Sequence, residues 1–353
     1  MIRKCRKCGV PMVAGKAHAW KDNGMIVQRR NPDNRMIFME TENMEDLFKG
    51  IEDIIGAPIA HLVIESIRRE ARKYLESELP LPAGKLGRRM FLNMAIRKSI
   101  DIGTGMGIGH IEPSERRLRF DDGDYYSEII QFPRSITMFA GEGLAAFEAI
   151  TRHDGTVAYE KIAANTFRLT IRAGEHPLEL QGYFAKAPHP EKPGDIKWRR
   201  CERCGTPLDI ATCRWDYETG CIFLPDSGNR VSIYSPTPIE AVFKDLEAEL
   251  GVEIPEAIIE AQRRHISRSM VLAEAKSIDE YRYALALRGL GYISRLHIGV
   301  DHVAVTIQNP CLYPLLVGTV KGIFAYVGSG GGSTHQWSVD GGGDLYIEIE
   351  AVA

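Results

Sequence analysis

The sequence predicts an α/β (α+β) chain made of two homologous repeats, and three observations carry that expectation. The first is an internal duplication. Cys5 and Cys8 recur as Cys201 and Cys204 (201 − 5 = 196), and Gly9 and Pro11 return as Gly205 and Pro207. After a one-residue slip Trp20 matches Trp215 (215 − 20 = 195). That spacing also pairs Asn34-Arg35 with Asn229-Arg230, Glu45 with Glu240, Phe48 with Phe243, Gly56 with Gly251 and Ile59 with Ile254. It continues through Ile64-Glu65 with Ile259-Glu260 and Arg68-Arg69 with Arg263-Arg264. One spacing held through that many positions marks a repeated unit. The second observation is that helical and strand-like periodicities alternate in the same order in both copies. The third is the Cys-x-x-Cys that opens each copy.

Each copy begins with a Cys-containing hairpin closed by turn residues, Asn23-Gly24 or Thr219-Gly220. A short strand follows, Arg35–Glu40 or Arg230–Tyr234. Then comes a helix at Met44–Ile55 or Ile239–Leu250, carrying Leu47, Ile51 and Ile54-Ile55 at helical spacing and ended by Gly56 or Gly251. A second helix carries Leu62, Ile64, Ile67 and Tyr74, or Ile258, Ile259 and Ile266, with the paired arginines assigned to its polar face. Each copy then has a glycine-rich turn and a strand, Arg117–Phe120 or Val303–Ile307. A small-residue helix near Gly141–Ile150 or Leu315–Tyr326 precedes alternating strands at Val157–Ile171 or His335–Ile349.

The domain boundaries follow. The first repeat spans 1–185, with a knuckle at 1–34 and the remainder at 35–185. A proline-rich linker at 186–197 holds Pro188, Pro190 and Pro193, and the second repeat spans 198–353, with its knuckle at 198–229 and the remainder at 230–353. Pro80 and Pro82 mark a smaller break. The chain's 353 residues suffice for two cored domains. With 44 Lys+Arg against 47 Asp+Glu the net charge is −3, which excludes the footprint of a dedicated nucleic-acid binder. The opening MIRKCRKCG lacks a signal peptide's apolar core, and the most apolar stretch, Cys311 to Val327, is broken by Pro314, Gly318 and Lys321. The expectation is a cytoplasmic protein without a membrane span, where reduced thiols at short spacing serve metals.

Seven cysteines divide unevenly. The second copy holds Cys201, Cys204, Cys213 and Cys221, four thiols that match the tetrahedral soft-ligand demand of Zn²⁺. Gly205 suits the tight turn of the knuckle, and Cys213 could approach Cys221 across a hairpin. The first copy keeps Cys5 and Cys8, and places His18 two residues before Trp20 as Cys213 stands before Trp215. Met25 or Ile26 takes the place of Cys221, and neither suits zinc. Three arrangements stay open: a fourth ligand from Asp22, Glu40 or elsewhere; a lost metal; or an open Cys2His site of the catalytic kind. A single site shared by Cys5, Cys8, Cys201 and Cys204 is disfavoured, because the second copy has a complete local set. One or two Zn²⁺ are therefore expected. Cys311, in an apolar run, reads as a core thiol.

Other motifs carry less. Gly103-Thr-Gly105-Met-Gly107-Ile-Gly109 fails the dinucleotide pattern and lacks a Walker lysine, so it reads as a turn. Gly328–Thr334 reads as a flexible loop or lid. His297 and His302 flank Asp301 but sit at a strand's start, and the arginine pairs with Glu65 and Glu260 suit helix salt bridges or an interface between copies. No nucleophile elbow, H-E-x-x-H or catalytic triad is present.

Gly289-Leu-Gly291, the strand Asp301–Asn309 ending in Asn-Pro, the helix Leu315–Gly322 and the closing Gly341–Ile349 segment together resemble the vinyl-reductase-like (hydrocarbon-binding) domain. The first copy shows a fainter version in Gly105–Gly109, Arg117–Asp121, Gly141–Ile150 and Ala163–Ile171. The family's later metal-binding cysteines have no counterpart here. The resemblance implies a twisted antiparallel sheet flanked by helices, enclosing an apolar cavity, and pairing through helices. The leading expectation is a zinc-containing protein that binds a small apolar or acyl ligand as sensor or carrier. The alternatives are a zinc enzyme or enzyme subunit using Cys5, Cys8 and His18, acting on a small substrate, and a zinc-ribbon module of a larger complex; a homodimer is compatible with each.

Overall fold

The computed structural model describes residues 2–78, 81–82, 84–175, 189–269, 277–327 and 332–352. Pro80, Pro188 and most of the Gly328–Thr334 loop lie outside them. The described chain is α/β, with three antiparallel sheets and helices packed between and against them.

The first half runs β1 (His18–Trp20), β2 (Ile26–Gln28), β3 (Arg35–Glu40), α1 (Thr41–Ile55), α2 (Ala60–Glu78), α3 (Lys85–Gly105), β4 (His110–Arg117), β5 (Tyr125–Gln131), α4 (Ile136–Thr151), β6 (Gly155–Ala163) and β7 (Thr166–Ala173). The second half adds a short turn of helix, α5 (Leu208–Ala211), and then follows the same order. Its elements are β8 (Arg214–Asp216), β9 (Cys221–Phe223), β10 (Arg230–Tyr234), α6 (Pro236–Leu250), α7 (Ile254–Ser269), α8 (Ile278–Leu287), β11 (Tyr292–Ile298), β12 (His302–Gln308), α9 (Tyr313–Val327), β13 (Ser333–Val339) and β14 (Leu345–Ala351).

The halves are interleaved. Three strands from each join in one six-stranded sheet, ordered β1-β2-β3-β10-β9-β8, whose central pair sets Ile37 opposite Tyr234 and Glu40 opposite Val231. Each half also owns a four-stranded sheet, β4-β5-β7-β6 or β11-β12-β14-β13. Helices cross between halves, α1 against α7 and α2 against α6. α1 shows why: Met44, Leu47, Phe48 and Ile51 form one buried stripe, and the helix ends at Gly56, whose φ of 70° lets its N–H reach Glu52 O. That stripe enters a core with Ile239, Val242, Leu246, Ile258, Leu315 and Ile347 of the other half.

Each N-terminal hairpin docks on the far half. Phe38 N–H donates to Arg288 O, and its counterpart Ile233 N–H donates to Met106 O, both at 2.9 Å. Arg35 donates to Gly289 O and Pro310 O, while Arg230 donates to Gly107 O, Phe132 O and Pro133 O. The hairpin turns need glycine, because a Cβ on Gly24 would fall 2.1 Å from Gly291 O and one on Gly220 would fall 2.2 Å from Gly109 O.

Several expectations change. Arg117–Phe120 is not a strand of its own: Arg117 ends β4, and β5 begins only at Tyr125. Helix α3 runs through the expected glycine turn as far as Gly105. Arg68 does not lie on a polar face; its side chain is wholly buried against Glu148. Arg69 reaches across to Asp245 of α6, an ion pair between halves, whereas Arg263 and Arg264 do bond Glu260 along their own helix. Cys311 lies in the core.

Candidate functional site

Two equivalent knuckles present the cysteines. Lys4 bridges Pro11, and Arg200 bridges Pro207. Gly9 N–H returns to Cys5 O at 2.9 Å and Gly205 N–H to Cys201 O at 2.8 Å, each glycine at positive φ. The knuckles meet face to face. Cys5, Cys8, Cys201 and Cys204 place their sulfurs within 4.8 Å of one another, with Cys5 to Cys201 at 3.9 Å and Cys8 to Cys204 at 3.4 Å. A tetrahedron of ~2.3 Å Zn–S bonds has sulfur–sulfur edges of about 3.8 Å, so the spacing fits one tetrahedral ion.

The surroundings favour thiolate at Cys5 and Cys201. Burial pushes the Cys5 thiol up, but the backbone N–H groups of Cys8 and Lys7 outweigh it and hold the thiol at about 6. The backbone N–H of Cys204 likewise holds Cys201 below its ordinary value. Burial raises Cys8, and the sulfurs of Cys204 and Cys201 add to that rise. A cation would resolve the crowding of four sulfurs that cannot all ionise unaided. Thr206 Oγ1 lies 3.1 Å from Cys204 Sγ, a donor for a thiolate. Outside the cluster Lys7 pairs with Glu202, and the Lys4 ammonium stands 3.4 Å over the Tyr217 ring.

This grouping corrects the local sets expected from sequence. Cys213 and Cys221 are not with Cys201 and Cys204: they flank strand β8 and its turn, where their Sγ atoms approach Asp209 O at 3.7 Å and Thr219 O at 3.5 Å. Burial pushes Cys213 up to about 12, the state of a core thiol. His18 is buried in β1 with Nδ1 2.8 Å from Ala14 O, apart from Cys5 and Cys8, and burial lowers it to about 4. The physical reason is the fold-over of the two knuckles, which supplies Cys5 and Cys8 with a second pair from the other half. His297 and His302 are neighbours on the outer sheet, ring centroids 5.5 Å apart, with His302 bonded to Glu348.

A second site escaped the sequence reading. A cavity of about 390 Å³ lies in the first half between α2, α3, α4 and sheet β4-β5-β7-β6, closed in part by Ser235, Thr237 and Pro238 of the other half. Met36, Leu75, Ile100, Ile108, Ile111 and Phe139 give it apolar walls, and Glu128, Arg134 and Glu142 give it polar ones. Burial pushes Glu128 up to about 7 against the lowering effect of the Tyr126 hydroxyl. Arg134 bonds Ile233 O and pairs with Glu142, yet Arg134 Nε, Glu142 Oε2 and Ser99 Oγ have no protein partner.

Matching the halves explains the space. Gln131 and Gln308 each end a strand and pair with the first residue of the neighbouring one, His110 or Tyr292. They put Glu128 in register with Val305 and Arg134 with Cys311. Gly141 sits on Ile64 O as Gly318 sits on Ile259 O, which puts Gly143 in register with Val320 and Ala146 with Ile323. On the helix the second half carries the larger residue, Val320 against Gly143 and Ile323 against Ala146. Beside it the first half carries the larger and charged one, Glu128 against Val305 and Arg134 against Cys311. That comparison is the signal the sequence offered, since all four pairs are visible in it.

No helix among the described residues is long and apolar enough to cross a membrane. No protein-family model matches the chain, and no curated protein matches it. Among solved structures, a Cs H-NOX mutant carrying the unnatural 4-cyano-L-phenylalanine is similar over 36% of this chain and 80% of its own, at 15% identity and a TM-score of 0.26. A mutant T. Tengcongensis H-NOX, with phenylalanine in place of isoleucine, is similar over 34% of this chain and 75% of its own, at 14% identity and a TM-score of 0.24.

Proposed function

We propose that this chain is a binding protein for a small, largely apolar molecule, held in the first-half cavity, with its two knuckles locked by one structural Zn²⁺. The observation that carries the reading is the asymmetry between halves. A chance packing fault would not combine Gly143 and Ala146 with the polar groups Glu128, Arg134 and Glu142 around one space, at positions where the other half has Val320, Ile323, Val305, Cys311 and Thr319. A cavity of about 390 Å³ is within the range that small-molecule sites occupy. The resemblance to vinyl-reductase-like domains supports the same reading, with the second half serving as a scaffold.

Cys5, Cys8, Cys201 and Cys204 would hold the zinc, and a full set of four thiolates leaves no open position, which is the structural rather than the catalytic pattern. The engagement of His18 Nδ1 with Ala14 O speaks against an open Cys2His site. Titration with the neutral apolar dye Nile red tests the cavity. The expected result is one site per chain in the wild type and at least tenfold weaker binding in Ala146→Ile. Two equivalent sites, or binding unchanged by Ala146→Ile, would overturn the reading.

A further inference from the structure

The polar groups of the cavity are unevenly paired. Arg134 is committed: its guanidinium bonds Ile233 O, pairs with Glu142 and lies over the Tyr234 ring at 4.2 Å. Glu70 has Arg69 beside it at 3.3 Å, and the Tyr74 hydroxyl accepts from Gln28. Glu128 differs. Its carboxyl is buried on β5 and lies close to Gly143 of α4, where an added Cβ would stand 2.7 Å from Leu169 Cδ2 and 3.4 Å from Glu128 Oε1. The groups facing it are the Tyr126 hydroxyl, Glu142 and Arg134 from the α4 side, and Glu70, Tyr74 and the exposed Lys73 from α2. Among the described residues no cation forms an ion pair with its carboxyl; burial and the Tyr126 hydroxyl act on its ionisation. In the other half the same position is Val305, so folding does not require an acid there.

Resting on the reading of the cavity as a ligand site, we propose that its ligand is an apolar amine, with the ammonium group against the Glu128 carboxylate and the hydrocarbon body along Met36, Ile100, Ile111 and Phe139. A buried carboxylate is costly until a cation joins it, so an ammonium offsets a penalty the empty cavity carries. An ammonium has three N–H donors, and two residues of the wall, Glu142 and Ser99, carry buried acceptors, Oε2 and Oγ, that lack a protein partner. Arg134 Nε–H also lacks one, and a carboxylate ligand would seek it instead. The two heads are therefore distinguishable by experiment.

Displacement of Nile red from the full chain by decylamine, 1-decanol and decanoate, three probes of matched chain length, tests the proposal. The expected order at pH 8 is decylamine at least tenfold tighter than the other two. That advantage should disappear in Glu128→Gln and in Glu128→Val, the second variant copying the residue at position 305. It should also shrink at pH 5.5, where the free cavity holds a protonated Glu128. Equal displacement by decanol, a preference for decanoate, or an amine advantage that survives both variants would overturn the proposal while leaving the cavity as a site. Failure of Nile red to bind at all would instead overturn the binding function on which it rests.

Discussion

The Sγ atoms of Cys8 and Cys204 lie 3.4 Å apart although 196 residues separate them along the chain. A metal at this point closes the loop between the two halves, and the binding free energy becomes folding free energy. Metal analysis is expected to give one zinc per chain. Cys8→Ser or Cys204→Ser should abolish binding, whereas Cys213→Ser and Cys221→Ser should keep it. Structural zinc in isolated knuckles contributes about 10–16 kcal/mol, so chelation should lower the unfolding midpoint of both halves together. Two zincs per chain, or metal loss in Cys213→Ser, would restore the separate local sites.

Much of this was legible from sequence and some was not, for identifiable reasons. The spacing of Cys5, Gly9, Trp20 and Arg35 with their later counterparts foreshadows the element order that the two halves share, and Gly56 and Gly251 mark where α1 and α6 stop. Spacing along the chain says nothing about which knuckle meets which, so Cys213 and Cys221 passed for ligands on proximity alone. Helix α3 went unrecognised because apolar residues surround it: Leu92 and Ile96 are buried while Leu86, Met90 and Met94 are exposed, so no single stripe repeats. The cavity is walled in part by the small residues Gly143 and Ala146, whose meaning shows only when the two halves are compared position by position.

Arg68 and Glu148 make an ion pair in which both side chains are wholly buried, 2.8 Å apart, linking α2 to α4. Glu148 also accepts from Gly155 N–H at 3.0 Å, which ties the pair to the start of β6. Removing one partner leaves a buried charge, so Arg68→Met is expected to cost about 3–5 kcal/mol. Chemical denaturation checks this. A loss under ~1 kcal/mol would mean that Arg72, 3.2 Å from Glu148, takes over the charge.

Arg35 and Arg230 hold each hairpin to the opposite half by bonds to its backbone carbonyls. Arg35→Ala should cost about 1–3 kcal/mol through the lost donors, and Arg230→Ala should cost the same. Hydrogen exchange separates the two. Arg35→Ala should expose the Phe38 amide, which bonds Arg288 O, and Arg230→Ala the Ile233 amide, which bonds Met106 O. Loss of protection at both amides in either variant would show that the hairpins open as one unit.

Two buried groups should tilt the pH dependence of stability in opposite directions. Glu128 is raised from its ordinary 4.5 to about 7 by burial, so the folded chain holds this proton more tightly than the unfolded one. Its contribution therefore falls as pH rises from 4.5 to 7, by about 3 kcal/mol at 1.36 kcal/mol per unit. His18 is lowered from 6.5 to about 4, mainly by burial, so the unfolded chain holds that proton more tightly. Its contribution rises between pH 4 and 6.5 by a similar amount, and the two slopes largely cancel between 4.5 and 6.5 in the wild type. Substitution uncovers each one. Glu128→Gln should leave stability rising across this interval and should stabilise the chain above pH 7, whereas His18→Gln should leave it falling. Denaturant midpoints collected from pH 4 to 8 measure both, and parallel profiles for the two variants would place the titrating groups elsewhere.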